Sequence, residues 1–145
     1  MSSKKREYRH HYLDALLDLT ARAGGNFGLD EVLPVSLPKE DLIDAFRKEF
    51  RCKDYPLELA ESDHSLSEAY KEFFGLSDED FRLAEAAAEL TENKFGKTGK
   101  ICYPKERGKL LDVIGGTKGP FYTVTDLFFV FFEKEVLCIV SGNFE

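Results

Sequence analysis

The run FYTVTDLFFVFF at residues 121–132, then EKE at 133–135 and VLCIV at 136–140, is the most strongly patterned part of this chain. Its first half alternates loosely, with Tyr122, Val124 and Asp126 set against Phe121, Thr123 and Thr125. Its second half is apolar at every position. In an extended strand Leu127, Phe129 and Phe131 fall on one face and Phe128, Val130 and Phe132 on the other. A strand apolar on both faces is a central one, covered on both sides or in contact with a partner. Glu133–Glu135 leaves room only for a tight hairpin into a second strand over 136–140, although no Asn-Gly or Asp-Gly pair specifies its turn. Outward from this hairpin, Ile101–Tyr103 and Leu110–Ile114 are shorter strand candidates.

Before Gly96 the apolar spacing lengthens to the helical period. Tyr8, Tyr12, Ala15, Leu16, Leu19 and Ala23 form one stripe, widened by Leu13 and Leu17 and ended by Gly24-Gly25-Asn26. A loop with Pro34 inside it is expected over about 27–37. Pro38 suits a first helical position, with Glu40 and Asp41 in the first turn. Leu42, Ile43, Ala45, Phe46 and Phe50 give that helix its buried face, and Pro56 stops it by Tyr55. Ser65-Leu66-Ser67-Glu68 fits a capping box. The short helix after it carries Ala69, Tyr70, Phe73 and Phe74 and stops at Gly75. Ser77-Asp78-Glu79-Asp80 opens another helix, with Phe81, Ala84, Ala87, Ala88 and Leu90 facing inward and Gly96 closing it. The alanines at 86–88 predict close approach to a neighbouring element. Helices first and strands last predict an α+β fold: N-terminal helices packed on one face of a C-terminal antiparallel β-sheet. One domain is expected over 1–145, helical over about 5–95 and β-rich over about 100–143.

Composition bounds the function. A chain of 145 residues with 43% hydrophobic and 32% charged side chains is neither disordered nor too small to bury a core. Its longest apolar run, Leu127 to Phe132, is far short of the ~18–20 residues of a membrane span. The charged start, Lys4-Lys5-Arg6, is followed by no apolar signal region. Three widely spaced cysteines, at 52, 102 and 138, do not make a disulfide framework, and a reducing cytoplasm is the expected location.

The net charge of −7 is unevenly spread. Residues 30–95 carry eighteen acidic and eight basic groups, whereas residues 96–119 carry two acidic and six basic ones. An acidic middle of this kind repels nucleic-acid backbones and attracts basic partners.

Each chemical constellation has a plainer explanation. Gly96-Lys97-Thr98 fails as a phosphate loop because position 91 is Thr and a helix enters the loop where a strand should. Gly115–Pro120 is a glycine-rich turn around Lys118. Lys94, Lys97, Lys100, Lys105, Arg107, Lys109 and Lys118, with Tyr103 among them, are the elements of a phosphate or nucleic-acid footprint over 94–118. The acidic remainder argues against that use. His10 and His11 point apart on a helix and lack the further ligands a metal needs. Asp63-His64-Ser65 holds the residue types of a hydrolytic triad, but Ser65 serves as a helix cap. Cys52, between Arg51 and Lys53, is the best nucleophile candidate in a chain that assembles no catalytic set. The carboxylate pairs Asp41/Asp44 and Glu58/Glu61 are solvated charges.

The function expected is therefore protein binding without enzymatic activity, cofactor or metal. In its sharpest form this is an acidic inhibitor or immunity-type protein that neutralises a basic partner such as a toxin nuclease. The partner-binding residues expected are Asp78, Glu79, Asp80, Glu85, Glu89 and Glu92. The helix dipole accounts for the first three, but Glu85, Glu89 and Glu92 stand at spacings of four and three, where like charges repel. An open face of strand 127–132 would serve a homodimer. The alternatives are a small-substrate enzyme using Cys52 and His64, or a phosphate or nucleic-acid binder through 94–118. Thiol titration under denaturing, non-reducing conditions should count three free thiols, and a lower count would mean a disulfide.

Overall fold

The computed structural model describes residues 15–16, 30–50, 56–106 and 122–144. Five strands form one antiparallel sheet: β1 (Asp30–Pro38), β2 (Leu59–Ser62), β3 (Lys100–Pro104), β4 (Tyr122–Phe131) and β5 (Glu135–Phe144), in the order β1-β5-β4-β3-β2. Among the described residues, three helices with both ends defined complete the α+β fold: α1 (Leu42–Glu49), α2 (Leu66–Phe74) and α3 (Phe81–Phe95), the last entered through a 3-10 turn at Asp78–Asp80. Among the described residues no helix is long and apolar enough to cross a membrane.

The long apolar strand is the centre of the sheet. β4 lies between β3 and β5, and each of its faces is closed by a separate core. On one side Phe128 meets Tyr70 and Phe73 of α2, with ring centroids 6.1 and 5.0 Å apart, and Phe95 of α3 stacks on Phe132 at 5.2 Å. On the other side Phe129 meets Phe46 of α1 at 5.6 Å, within a cluster that includes Leu42, Phe50, Cys102 and Cys138. The expected packing of helices on one face thus holds for α2 and α3, while α1 covers the opposite face. Phe128, Phe129 and Val130 are each 0% exposed, so strand 127–132 has no open face for the homodimer expected there. Its loose early alternation has a local cause: the register with β5 shifts between Val124 and Asp126, as at a β-bulge.

The hairpin from β4 into β5 is as tight as its length requires. Phe132 N–H donates to Glu135 O at 2.9 Å, leaving Glu133 and Lys134 as the connection. Neither residue has positive φ, so this is not the turn that Asn-Gly would make.

Two strands lie where the sequence predicts loop or helix. β1 occupies the stretch around Pro34 and pairs along its length with β5, Pro34 opposite Ile139. Among the described residues β1 and β2 are the sheet's edges, and an edge strand tolerates proline because one side of its backbone has no ladder to complete. Pro38 consequently ends β1 instead of starting a helix. The chain reverses through Asp41, which adopts left-handed φ of 58°, and α1 begins at Leu42. The four-residue β2 pairs with β3, Glu61 opposite Cys102.

The helix signals in the middle of the chain form as expected. Glu68 N–H donates to Ser65 Oγ at 3.1 Å and Ser65 N–H donates to Glu68 Oε1 at 2.9 Å, closing the capping box. Gly75 ends α2 with φ of 63°. Ala84 and Ala87 are fully buried on α3, and beside them Thr91 joins the helices: its hydroxyl lies 2.8 Å from Tyr70 Oη and donates to Ala87 O at 2.7 Å. Of the first predicted helix, Ala15 and Leu16 are helical, with Leu16 buried in the α2–α3 core. The strand expected over Leu110–Ile114 and the histidines at 10 and 11 lie outside the described residues, as does Cys52.

Phe129 fills the α1-side core at its centre, so Phe129→Ala should cost about 3–5 kcal/mol in denaturant unfolding. An unchanged unfolding midpoint would contradict this placement of β4.

Candidate functional site: an acidic helical face

The amphipathic packing of α2 and α3 decides where the carboxylates go. Their apolar sides are spent on the sheet and on each other, so the polar sides face outward. Residues 58–93 carry eleven acidic groups against Lys71 and Arg82. Glu68 and Glu72 of α2, Asp78 and Glu79 of the 3-10 turn, and Glu85 and Glu89 of α3 are all exposed. Of the six expected site residues, Glu79, Glu85 and Glu89 are thus exposed carboxylates with no ion pair among the described residues. Asp78 binds Lys71 Nζ, and that ammonium holds its carboxyl below the usual range. Asp80 is half-buried. Glu92 is also half-buried and turns back on its own chain, its Oε2 accepting from Thr98 N–H at 2.9 Å. It anchors the exit from α3.

One grouping was not legible in the sequence. His64, on the loop before α2, has Nδ1 3.3 Å from Tyr103 Oη on β3 and Nε2 3.4 Å from Glu72 Oε2 on α2. The imidazole ties the second helix to β3 and sits against an open concavity of 720 Å³ bordered by Glu68, Lys71, Glu72 and Asp78. Its two partners come from elements eight residues after it and thirty-nine after it, and no local spacing announces that meeting. The triad suggested by Asp63-His64-Ser65 does not assemble, because Ser65 Oγ accepts the α2 backbone N–H and Asp63 is an exposed side chain. Glu68 is held below its ordinary value first by the hydrogen bond from the Ser65 backbone, then by the Ser65 side chain and by the nearby His64.

The remaining chemical candidates are sorted by burial. Among the described residues no three His, Cys, Asp or Glu side chains stand where they could hold a metal. Asp44 pairs with Arg47 at 3.9 Å and Glu58 with Lys105 at 3.7 Å, both on the surface. Cys102 and Cys138 are free and buried, and both lie opposite Phe129, on β3 and β5. Two strand spacings separate them by about 10 Å, beyond the reach of a disulfide. Of the basic stretch, Lys94, Lys97, Lys100 and Lys105 are described; Arg107, Lys109, Lys118 and the 115–120 turn lie outside. The fold brings Lys39 and Lys134 to the same end of the sheet as Lys97 and Lys100.

No protein-family model, no curated protein and no solved structure matches this chain.

Burial pushes the Cys138 thiol strongly upward from its ordinary 9.0. An unfolded thiol therefore ionises at a pH where the folded one stays neutral, and the stability that burial confers is lost as pH rises past 9.0. Unfolding free energy measured over about pH 8 to 10 should fall more steeply for the wild type than for Cys138→Ala. Parallel pH profiles would show that the thiol is accessible to water.

Proposed function

We propose that this protein is a binding module that docks a basic partner protein on the outer face of α2, the 3-10 turn and α3. The reading rests on one observation: residues 66–95, which form α2, the 3-10 turn and α3, carry eight acidic and three basic groups, and six of the eight carboxylates are exposed on the side of the layer that the core does not use. An exposed carboxylate array raises the rate of encounter with a cationic surface and disfavours nucleic acid. Glu79, Glu85 and Glu89 form the centre of the docking face, with Glu68, Glu72 and Asp78 around them. Asp80 and Glu92 support it from half-buried positions. A rigid acidic layer of this kind suits an inhibitor or immunity-type protein that covers the basic active site of a cytoplasmic partner, a toxin nuclease being the sharpest case. This function needs no cofactor and no catalytic residue.

The test is affinity capture from the native cell with wild-type protein and with the Glu79→Gln, Glu85→Gln, Glu89→Gln triple variant. The wild type should retain one stoichiometric basic protein that elutes as salt is raised. The variant should keep its unfolding midpoint, or raise it slightly through relief of like-charge repulsion. It should associate with the captured partner several-fold more slowly, most clearly at low salt, where screening is weakest. An unchanged association rate would remove the acidic layer as the interface.

A further inference from the structure

At the end of the sheet, the loop from α3 into β3 faces the β4–β5 hairpin and the turn after β1 across an open groove of 1110 Å³. Lys39, Lys94, Lys97, Lys100 and Lys134 line it, drawn from three separate segments, and all five are exposed. Two carboxylates, Glu61 and Glu133, line it as well. The groove is thus cationic in a chain whose net charge is −7. None of the five lysines is in an ion pair among the described residues, although Lys100 Nζ stands 4.7 Å over the half-buried Phe131 ring. The negative C-terminal end of α3 explains Lys94. It does not explain Lys39 and Lys134, which only the sheet topology brings there.

From this convergence we infer that the groove binds a polyphosphate chain, as carried by a nucleoside triphosphate or by inorganic polyphosphate. Ammonium groups are hydrogen-bonding point charges suited to phosphate oxygens, and several of them around one groove match several adjacent negative groups better than a single one. The loop amides do not form an anion nest. Thr98 N–H donates to Glu92, and Gly99 N–H donates to Phe131 O at 2.7 Å. A lone phosphate would therefore lack the backbone cradle of a phosphate loop, whereas a chain of phosphates reaches the separated lysines. Thr98, whose residue lines the groove, has a buried Oγ1 with no hydrogen-bond partner among the described residues. A long nucleic acid is disfavoured because the adjoining cleft brings Glu61, Asp63 and Glu92 beside Lys97 and Lys100. Charges farther away are screened over ~8 Å at physiological salt, so the groove's own lysines govern a short ligand.

The experiment is calorimetric titration of the full chain, at low salt, with tripolyphosphate, ATP and single-stranded oligothymidylate. The proteins compared are wild type, the Lys97→Gln, Lys100→Gln, Lys134→Gln triple variant, and Lys48→Gln, an exposed lysine of α1 outside the groove. Thermal unfolding of each variant, and of wild type with ligand, controls for folding. Tripolyphosphate and ATP should both bind wild type and raise its Tm. The triple variant should weaken both at least about tenfold, since each charge-assisted hydrogen bond is worth that much, and Lys48→Gln should leave both unchanged. Equal affinities for the two ligands would identify the phosphate chain alone as what is read. Tighter binding of ATP, lost in the same variant, would identify a nucleotide as the source. Absence of binding by either, equal binding by a folded triple variant, or tighter binding of the oligothymidylate than of both would overturn the inference. These outcomes do not involve the acidic face, so this site and the protein-docking reading stand or fall separately.

Discussion

The structure depends on a strand that is apolar on both faces. β4 and the residue that follows it offer Phe128, Val130 and Phe132 to one side and Leu127 and Phe129 to the other, and α1, α2 and α3 each pack against one of these two sets. The dependence is mutual. α1 and α2 are eight and nine residues long, below the length at which an isolated helix persists in water. Their stability comes from docking Phe46 against Phe129 and Tyr70 and Phe73 against Phe128. The strand in turn would expose a long apolar strip without them.

That requirement sets the electrostatics. A helix that must give its aromatic stripe to the sheet turns its remaining side outward, and in α2 and α3 that side is written mostly in glutamate. The helices also pack closely on each other through Ala84, Ala87 and the Tyr70–Thr91 hydroxyl pair, so the carboxylates stand on one rigid layer and not on independent segments. His64 adds a polar tie from that layer to the sheet, through Glu72 on α2 and Tyr103 on β3. The opposite sign of charge collects where segments with no helical face to fill, the α3–β3 loop and the β4–β5 hairpin, come together. Among the described residues, exposed carboxylates thus gather on the helical layer and exposed lysines around the groove beside the β4–β5 hairpin.

Local pattern was enough for much of this. Six apolar positions in a row announced a doubly covered strand, the spacing of Ser65 and Glu68 announced a capping box, and Gly75 and Gly96 marked helix ends. Of the alanines at 86–88, which announced a close approach, Ala87 and Ala88 are buried and Ala86 is exposed. The outward position of Glu85 and Glu89 followed from the helical period alone. These features are set by interactions within a few residues, so they can be read from spacing.

Long-range pairing was not written in any local stretch. β1 contains Pro34 and reads as loop, yet it becomes a strand because β5 presents it with a complete ladder; the pairing puts Ser36 in a hydrogen bond with Glu135, ninety-nine positions along the chain. The choice of face for α1 likewise depends on where β1 releases the chain, at the left-handed Asp41. Glu92 shows the same limit at the level of one side chain. Its place in the helical period predicts an outward carboxylate, but the return of the chain at Thr98 gives it a backbone N–H to hold. The meeting of His64 with Tyr103 and of Lys39 and Lys134 with Lys97 and Lys100 arises in the same way. Sequence spacing encodes which side of an element a residue occupies, whereas register and connection geometry fix which elements stand beside it.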